Sequence, residues 1–156
     1  MTPGQTYVIA EIGRNHNGQV DVADKLIRAA AMAKVNAVKF QKRTPRICVP
    51  RSQWNVRRDT PYWGRVSYIE YCENVELSIE AYNKLSELAL SLGLDFIVSV
   101  WDLVALEETL MLGSALAAVK IPSAMLTNHK LVECAAGVNL PIILSTGMST
   151  MQEIST

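Results

Sequence analysis

Two lysines stand where a strand would normally carry only apolar side chains. Lys39 sits between Val38 and Phe40 in NAVKFQK, and Lys120 between Val119 and Ile121 in LAAVKIPS. A lone buried ammonium costs several kcal/mol unless it meets an anion or loses its proton. An internal carboxylate such as Glu11 is one partner. Two lysines near strand ends need more negative charge than the neighbouring segments supply, however, and a substrate carrying several negative charges would complete the site. Side chains two apart on a strand share a face, so Lys39 goes with Gln41 and Lys120 with Pro122, while Ser123 lies where the chain turns into a loop. Ser99, Ser123, Ser145, Thr146 and Gly147 offer hydroxyls and close backbone approach, which suit phosphate or carboxylate oxygens. Together these residues describe an anion pocket.

Something must hold them together. Five short apolar runs, at 7–13, 37–41, 95–100, 117–123 and 141–147, read as buried parallel strands. Between most of them lie helical patterns with start and stop signals. Asp21 is placed to cap a helix whose Val22, Leu26, Ala29, Ala30 and Ala33 share a face. Ser78 caps another, with Leu77 and Tyr82 spaced as a hydrophobic staple and Gly93 as the stop. Asp102 opens a third, ending at Gly113, and Asn128 or Thr127 a fourth, ending at Gly137. Sequential βα units give either a doubly wound sheet or a (β/α)₈ barrel. The barrel is favoured because polar residues mark the C-terminal end of every strand, where a barrel has its mouth, and no GxGxxG or GxxxxGK[ST] loop supports a nucleotide-binding sheet.

The expected class is therefore α/β, a TIM-barrel type with a partial barrel of about five βα units. Thr150 and Glu153 have capping-box spacing for a further helix close to Thr156, so residues 1–156 read as the N-terminal part of a longer design. Residues 43–77, rich in Arg and aromatic residues, form a long insertion after the second strand. It reads either as a surface loop solvating its arginines or as a lid or substrate wall.

Composition narrows the function class. The 156 residues are 49% apolar and 19% charged, as in a core-forming globular chain. Fifteen basic and fifteen acidic residues leave no overall field to recruit nucleic acid or an anionic membrane, and RNA-binding strand signatures are missing. The N-terminal MTPGQTYVIA has no leader pattern and no run is long enough to span a bilayer, which points to the cytoplasm. Cys48, Cys72 and Cys134 are odd in number and form no CxxC pair, so they read as free thiols rather than a disulfide frame or zinc site.

The stretches IAEIGRNHNG, AVKFQ, VKIPSAMLTN and PIILSTGMST, in this order from about residue 7 onwards, resemble the sialic acid synthase (N-acetylneuraminate synthase) family. That resemblance implies a TIM barrel followed by a small antifreeze-like domain, in a swapped dimer, so that a homodimer or a complementary barrel half is the expected partner. It implies condensation of phosphoenolpyruvate with an N-acyl hexosamine, N-acetylmannosamine or a relative, to a nine-carbon 2-keto sugar acid with release of phosphate. By position, Lys39 and Lys120 resemble the lysines that contact phosphoenolpyruvate, with Ser123 and Ser145 near its phosphate or carboxylate and Ser99 where the family usually has threonine. Glu11 and Gln41 match positions facing the acceptor sugar. Asn15 and His16 belong to the loop after the first strand, and His16 reads more readily as structural than as a ligand. A divalent cation, Mn²⁺ or Mg²⁺, is implied, with its histidine ligands in later strands and none in this chain.

Three departures stand out. Met125 replaces a carboxylate that follows the serine of KIPS by two positions in many members. Lys34 replaces a glycine after the first helix, leaving that helix end without its φ > 0 residue. The later strands and the C-terminal domain are missing, so the chain by itself is expected to be inactive. Two other functions remain open: a class I aldolase with a Schiff base on Lys39 or Lys120, and a non-catalytic half-barrel that serves as a binding or assembly module.

Overall fold

Apolar strands and capped helices alternate along the chain as their patterns predict. The computed structural model describes Gly4 and residues 6–155, so part of the N-terminal stretch read for a leader, and Thr156, lie outside the described residues. Five parallel strands, β1 (Ile9–Gly13), β2 (Ala37–Lys42), β5 (Asp95–Val100), β6 (Leu116–Ile121) and β7 (Ile142–Leu144), stand in that order in one sheet. The order decides between the two architectures. A doubly wound sheet reverses direction at a switch point and covers both faces with helices, whereas here each new strand adds to the same edge. The connecting helices all pack on one face of the sheet, as right-handed crossovers onto a single edge require, and the sheet is an arc of the TIM-barrel type.

Those helices are α1 (Val20–Met32), α4 (Ile79–Ser91), α5 (Leu103–Leu110) and α6 (His129–Ala136), with α7 (Met151–Ser155) beyond β7. The main core lies between helices and sheet and includes Ile27, Val38, Phe40, Tyr82, Leu85, Phe96, Val98, Val119, Ile121 and Leu131. Among the described residues the opposite sheet face carries only a small apolar cluster, Ala37, Ile97 and Ala118 with Tyr7, Ile9 and Ile143 around it. Small and β-branched residues at one end of that face leave its other end to polar side chains. No described helix is long and apolar enough to cross a membrane.

Several caps form as read: Ser78 accepts from Ala81 N at 3.3 Å, Asp102 from Ala105 N at 2.8 Å and Asn128 from Leu131 N at 3.2 Å. Thr150 and Glu153 form the reciprocal capping box of α7. Helix α1 differs. Its N-cap is Gln19, without a side-chain cap bond, and Asp21 pairs with Lys25 one turn on. The buried face is Ala23, Ile27 and Ala30 rather than one including Ala29 and Ala33, so the helix is turned about its axis relative to the expected stripe.

The C-terminus of α1 also corrects the expectation about Lys34. The helix does not go without a φ > 0 residue, since Lys34 itself adopts φ +57. Lys34 N then donates to Ala31 O at 2.9 Å and Val35 N to Ala30 O at 3.4 Å, the Schellman pattern that Gly93 completes at the end of α4.

The insertion is folded. Helix α2 (Pro45–Cys48), the antiparallel hairpin of β3 (Arg57–Thr60) and β4 (Gly64–Ser67), and helix α3 (Tyr68–Asn74) follow β2. They share a satellite core of Val49, Ile69 and Cys72 with Trp54, Tyr68 and Tyr71. All three cysteines are free.

Candidate active site

In a parallel arc, alternation sends every second side chain of each strand to the inner face, and polar ones cluster where the strands end. The register sets Glu11 beside Lys39, Gln41 beside Ser99 and Ser99 beside Lys120. These five residues wall a cleft of about 300 Å³. That volume is at the lower end of the about 300–1,000 Å³ typical of small-molecule sites. Gly13 at the end of β1 and Arg14 and Asn15 in the loop after it line the cleft too, and the strand ends opposite add Trp101 and Pro122.

The charge in this cleft is unbalanced. Lys39 Nζ is paired with a Glu11 carboxylate oxygen, the Lys39 side chain being 12% exposed and that of Glu11 58%. A carboxylate so largely hydrated offsets little of the cost of burying the lysine. Burial, and then the neighbouring charge of Lys120, bring the Lys39 ammonium down to about 8, below the ordinary lysine range. Burial also lowers Lys120. Among the described residues no carboxylate lies within ion-pair distance of Lys120, whereas Lys42, on the outer face, has Glu108 at 2.8 Å. Among the described residues that line it, the cleft thus presents the two partly buried ammonium groups of Lys39 and Lys120 against one solvated carboxylate.

Ser123 and Ser145 are close by but not in the cleft wall. Ser123 opens a 3₁₀ turn, Ser123–Met125, past β6, with its Oγ 3.6 Å from where a Cβ on Gly147 would stand. Ser145 N donates to Ile121 O at 3.1 Å, tying the exit of β7 to the end of β6. Met125 packs against the main core, so the position of the expected carboxylate serves packing in this chain. His16, 1% exposed, is likewise outside the cleft wall. Its Nδ1 accepts from Gly18 N at 3.1 Å and its ring stacks on Phe40 at 5.8 Å. Burial and then Arg14 hold its pKa down to about 4, so it is a neutral structural residue at pH 7.

Three residues of this region went unnoticed in the sequence. Trp101 follows Ser99 by two positions, the same spacing that joins Lys39 to Gln41, and that was the available signal. Arg14 and Glu76 carried none. They meet as a buried ion pair at 3.6 Å, with Glu76 Oε2 also accepting from Arg43 N at 3.2 Å. Burial raises the Glu76 carboxyl above the usual carboxylate range. Among the described residues no three His, Cys, Asp or Glu side chains gather as a metal site.

Comparison with known proteins puts this geometry in context. The NeuB family profile matches residues 26–156. The chain is 38% identical over 151 residues to the N-acetylneuraminate-9-phosphate synthase of Drosophila melanogaster, covering 95% of this chain and 39% of that protein. It is 35% identical over 150 residues to the N,N'-diacetyllegionaminic acid synthase of Legionella pneumophila, covering 95% and 41%. The chain therefore spans about two fifths of the length of these relatives. The N-acetylneuraminic acid (sialic acid) synthetase of Leptospira borgpetersenii superposes with a TM-score of 0.82 at 26% identity, over 99% of this chain and 52% of that one. The DAHP synthase of Thermotoga maritima shares the fold alone, with a TM-score of 0.66 at 15% identity over 99% and 40%. A one-directional parallel arc with inward lysines on β2 and β6, matched by a family profile over residues 26–156, identifies this chain as a member of the NeuB family.

Proposed function

We propose that the cleft binds phosphoenolpyruvate and takes part in its condensation with an N-acyl hexosamine, N-acetylmannosamine or a relative, to a nine-carbon 2-keto sugar acid. The observation that carries this reading is the charge imbalance: Lys39 and Lys120 face one cleft that holds a single, largely hydrated carboxylate. A ligand with a carboxylate and a phosphate monoester supplies what the protein lacks. The names of the relatives, synthases of nine-carbon sugar acids, support the same reaction.

In the reaction, the enol π pair of phosphoenolpyruvate forms the new C–C bond from C3 to the sugar aldehyde carbon, and the aldehyde oxygen takes a proton. Water adds at C2 and gives up a proton. The bond between C2 and the phosphate oxygen then breaks, phosphate leaves with that pair and takes up the remaining proton of the C2 hydroxyl, and C2 becomes the ketone. Lys39 and Lys120 hold and neutralise the enolpyruvyl anion through this charge redistribution. Glu11 is the carboxylate within reach of the reacting atoms and can carry a proton. Gln41 and Asn15 offer amide groups to the acceptor, and Ser99, Ser123 and Ser145 offer hydroxyls to anionic oxygens. The described residues gather no set of side chains that fits a divalent cation, and we place the ligands of the implied Mn²⁺ or Mg²⁺ outside them. We place residues 1–156 as the N-terminal part of the barrel, acting in the cytoplasm as a homodimer or with a complementary half.

Calorimetric titration with phosphoenolpyruvate tests the reading. Saturable binding that falls at least tenfold in Lys39→Ala and in Lys120→Ala is expected. No binding to the parent chain, or unchanged binding in both variants, would sink it. A second reading is favoured by the lowered pKa of Lys39, which leaves a share of free amine near pH 8. On that reading Lys39 forms an imine with a 2-keto acid. Borohydride with pyruvate would then leave a reduced adduct on Lys39 by mass spectrometry, and an unmodified chain would exclude it.

A further inference from the structure

The side chains beside Gln41 form an arrangement that anion binding does not use. The guanidinium of Arg43 lies over the Trp101 ring, 3.5 Å from its centroid. Gln41 sits against both, and both present only donors to it. With its amide oxygen turned towards them, Gln41 accepts from Arg43 Nε at 3.0 Å, from Arg43 Nη2 and from Trp101 Nε1. An amide has one oxygen and one NH₂, so committing the oxygen to this side commits the NH₂ to the other. Gln41 and Trp101 both line the cleft.

The pair is anchored from behind. Asp102, next to Trp101, accepts from Thr44 N at 2.7 Å and Thr44 Oγ1 at 2.8 Å, and Thr44 is next to Arg43. The same carboxylate caps α5 through Ala105 N at 2.8 Å, and Cys48 Sγ donates to it at 3.0 Å. Arg43 N is held by Glu76 Oε2 at 3.2 Å. The end of β2 is thus latched to the end of β5 through Thr44 and Asp102, and to the segment between α3 and α4 through Arg43 and Glu76. A guanidinium stacked on an indole and fixed at its own backbone has little rotamer freedom left to lose when a ligand arrives.

We propose that Arg43 and Trp101 are positioning residues for the acceptor: they hold the Gln41 amide in one orientation, with its NH₂ presented as a fixed donor to a carbonyl or hydroxyl oxygen of the N-acyl amino sugar. The proposal rests on the function proposed above for its ligand, but not for its geometry. A glutamine free to flip would offer donor and acceptor alternately. A clamped one rejects a group that can only donate, because two donors would then face each other.

Two measurements on the ¹⁵N-labelled chain separate the geometry from the ligand. The side-chain NH₂ signals of Gln41, assigned by their loss in Gln41→Met, are compared between the parent, Trp101→Phe and Arg43→Lys. Trp101→Phe removes one donor and keeps an aromatic ring; Arg43→Lys keeps the charge and removes Nε and the planar face. The signals should move in both variants towards those of a solvent-exposed glutamine while the backbone amides of Phe96 and Val98 stay in place. Unmoved signals in both would overturn the clamp. Titration with N-acetylmannosamine at saturating phosphoenolpyruvate should then show affinity about five- to tenfold weaker in each variant, the worth of one neutral hydrogen bond. Phosphoenolpyruvate affinity should be unchanged. Moved signals with unchanged sugar affinity would overturn the role in acceptor binding. Failure of the parent to bind phosphoenolpyruvate would count against the proposed function, and the first measurement would still decide the clamp.

Discussion

Gly18 is the position where a single methyl group should do most harm to both fold and site. It has φ +70, and a Cβ added there would stand 2.0 Å from the carbonyl oxygen of Asn74 and 3.1 Å from its carbon. Alanine in the left-handed region costs about 1 kcal/mol relative to glycine. The carbonyl must in addition retreat by about 1 Å, and overpacking of this kind against backbone costs about 1–3 kcal/mol. Gly18→Ala is therefore expected to lose about 2–4 kcal/mol, a large part of the stability of an ordinary domain. The contact also seats the loop carrying Arg14 and Asn15 against the segment carrying Glu76, so the variant should bind phosphoenolpyruvate more weakly as well. Urea denaturation followed by circular dichroism measures the first effect, with Gly137→Ala as control. Gly137 has φ −76, and its added Cβ would meet nothing closer than 3.5 Å. A midpoint for Gly18→Ala equal to that of Gly137→Ala, or a loss below about 1 kcal/mol, would refute this account of the close approach.

Other perturbations test separate parts of the structure. Lys34→Gly should stabilise by about 1 kcal/mol and raise Tm by about 2–4 °C, because it keeps the Schellman bonds and removes a side chain from φ > 0; a lowered Tm would contradict this. His16 is held to about 4 in the folded chain against an ordinary value of 6.5, so the unfolded chain binds more protons between these values. Stability should then fall as pH drops through that window, and His16→Gln should flatten the dependence measured by urea titration at several pH values. Lys39 near 8 predicts that binding of a simple anion such as sulfate weakens as pH rises through about 8 to 10, while Lys39→Arg, which stays charged, removes that step in calorimetry.

Much of the architecture was legible because strands buried on both faces and helices with caps leave local marks. Ser78, Asp102 and Asn128 bond the backbone only three residues away, and such contacts are decided by neighbours in the chain. Helix α1 was misread at its start because Asp21, a good cap by type, lies inside a helix that begins without a side-chain cap. The folded hairpin β3–β4 was hidden in an insertion whose charged strands, with Arg57, Arg58 and Asp59 in one of them, have no apolar alternation to show.

What the residues alone determined was a requirement: Lys39 and Lys120, set among apolar neighbours on strands, oblige the fold to bring them negative charge. The sequence also determined which side chains share a face, since alternation depends only on the backbone. Tertiary structure decided the rest. Among the described residues it gave Glu11 to Lys39 and no carboxylate to Lys120, placed Ser123 and Ser145 beside the cleft rather than in it, packed Met125 against the core, and closed the wall with Arg43 on Trp101. Those outcomes depend on strand register and on how far a loop travels before it returns, sums over many weak contacts that no single stretch of sequence records.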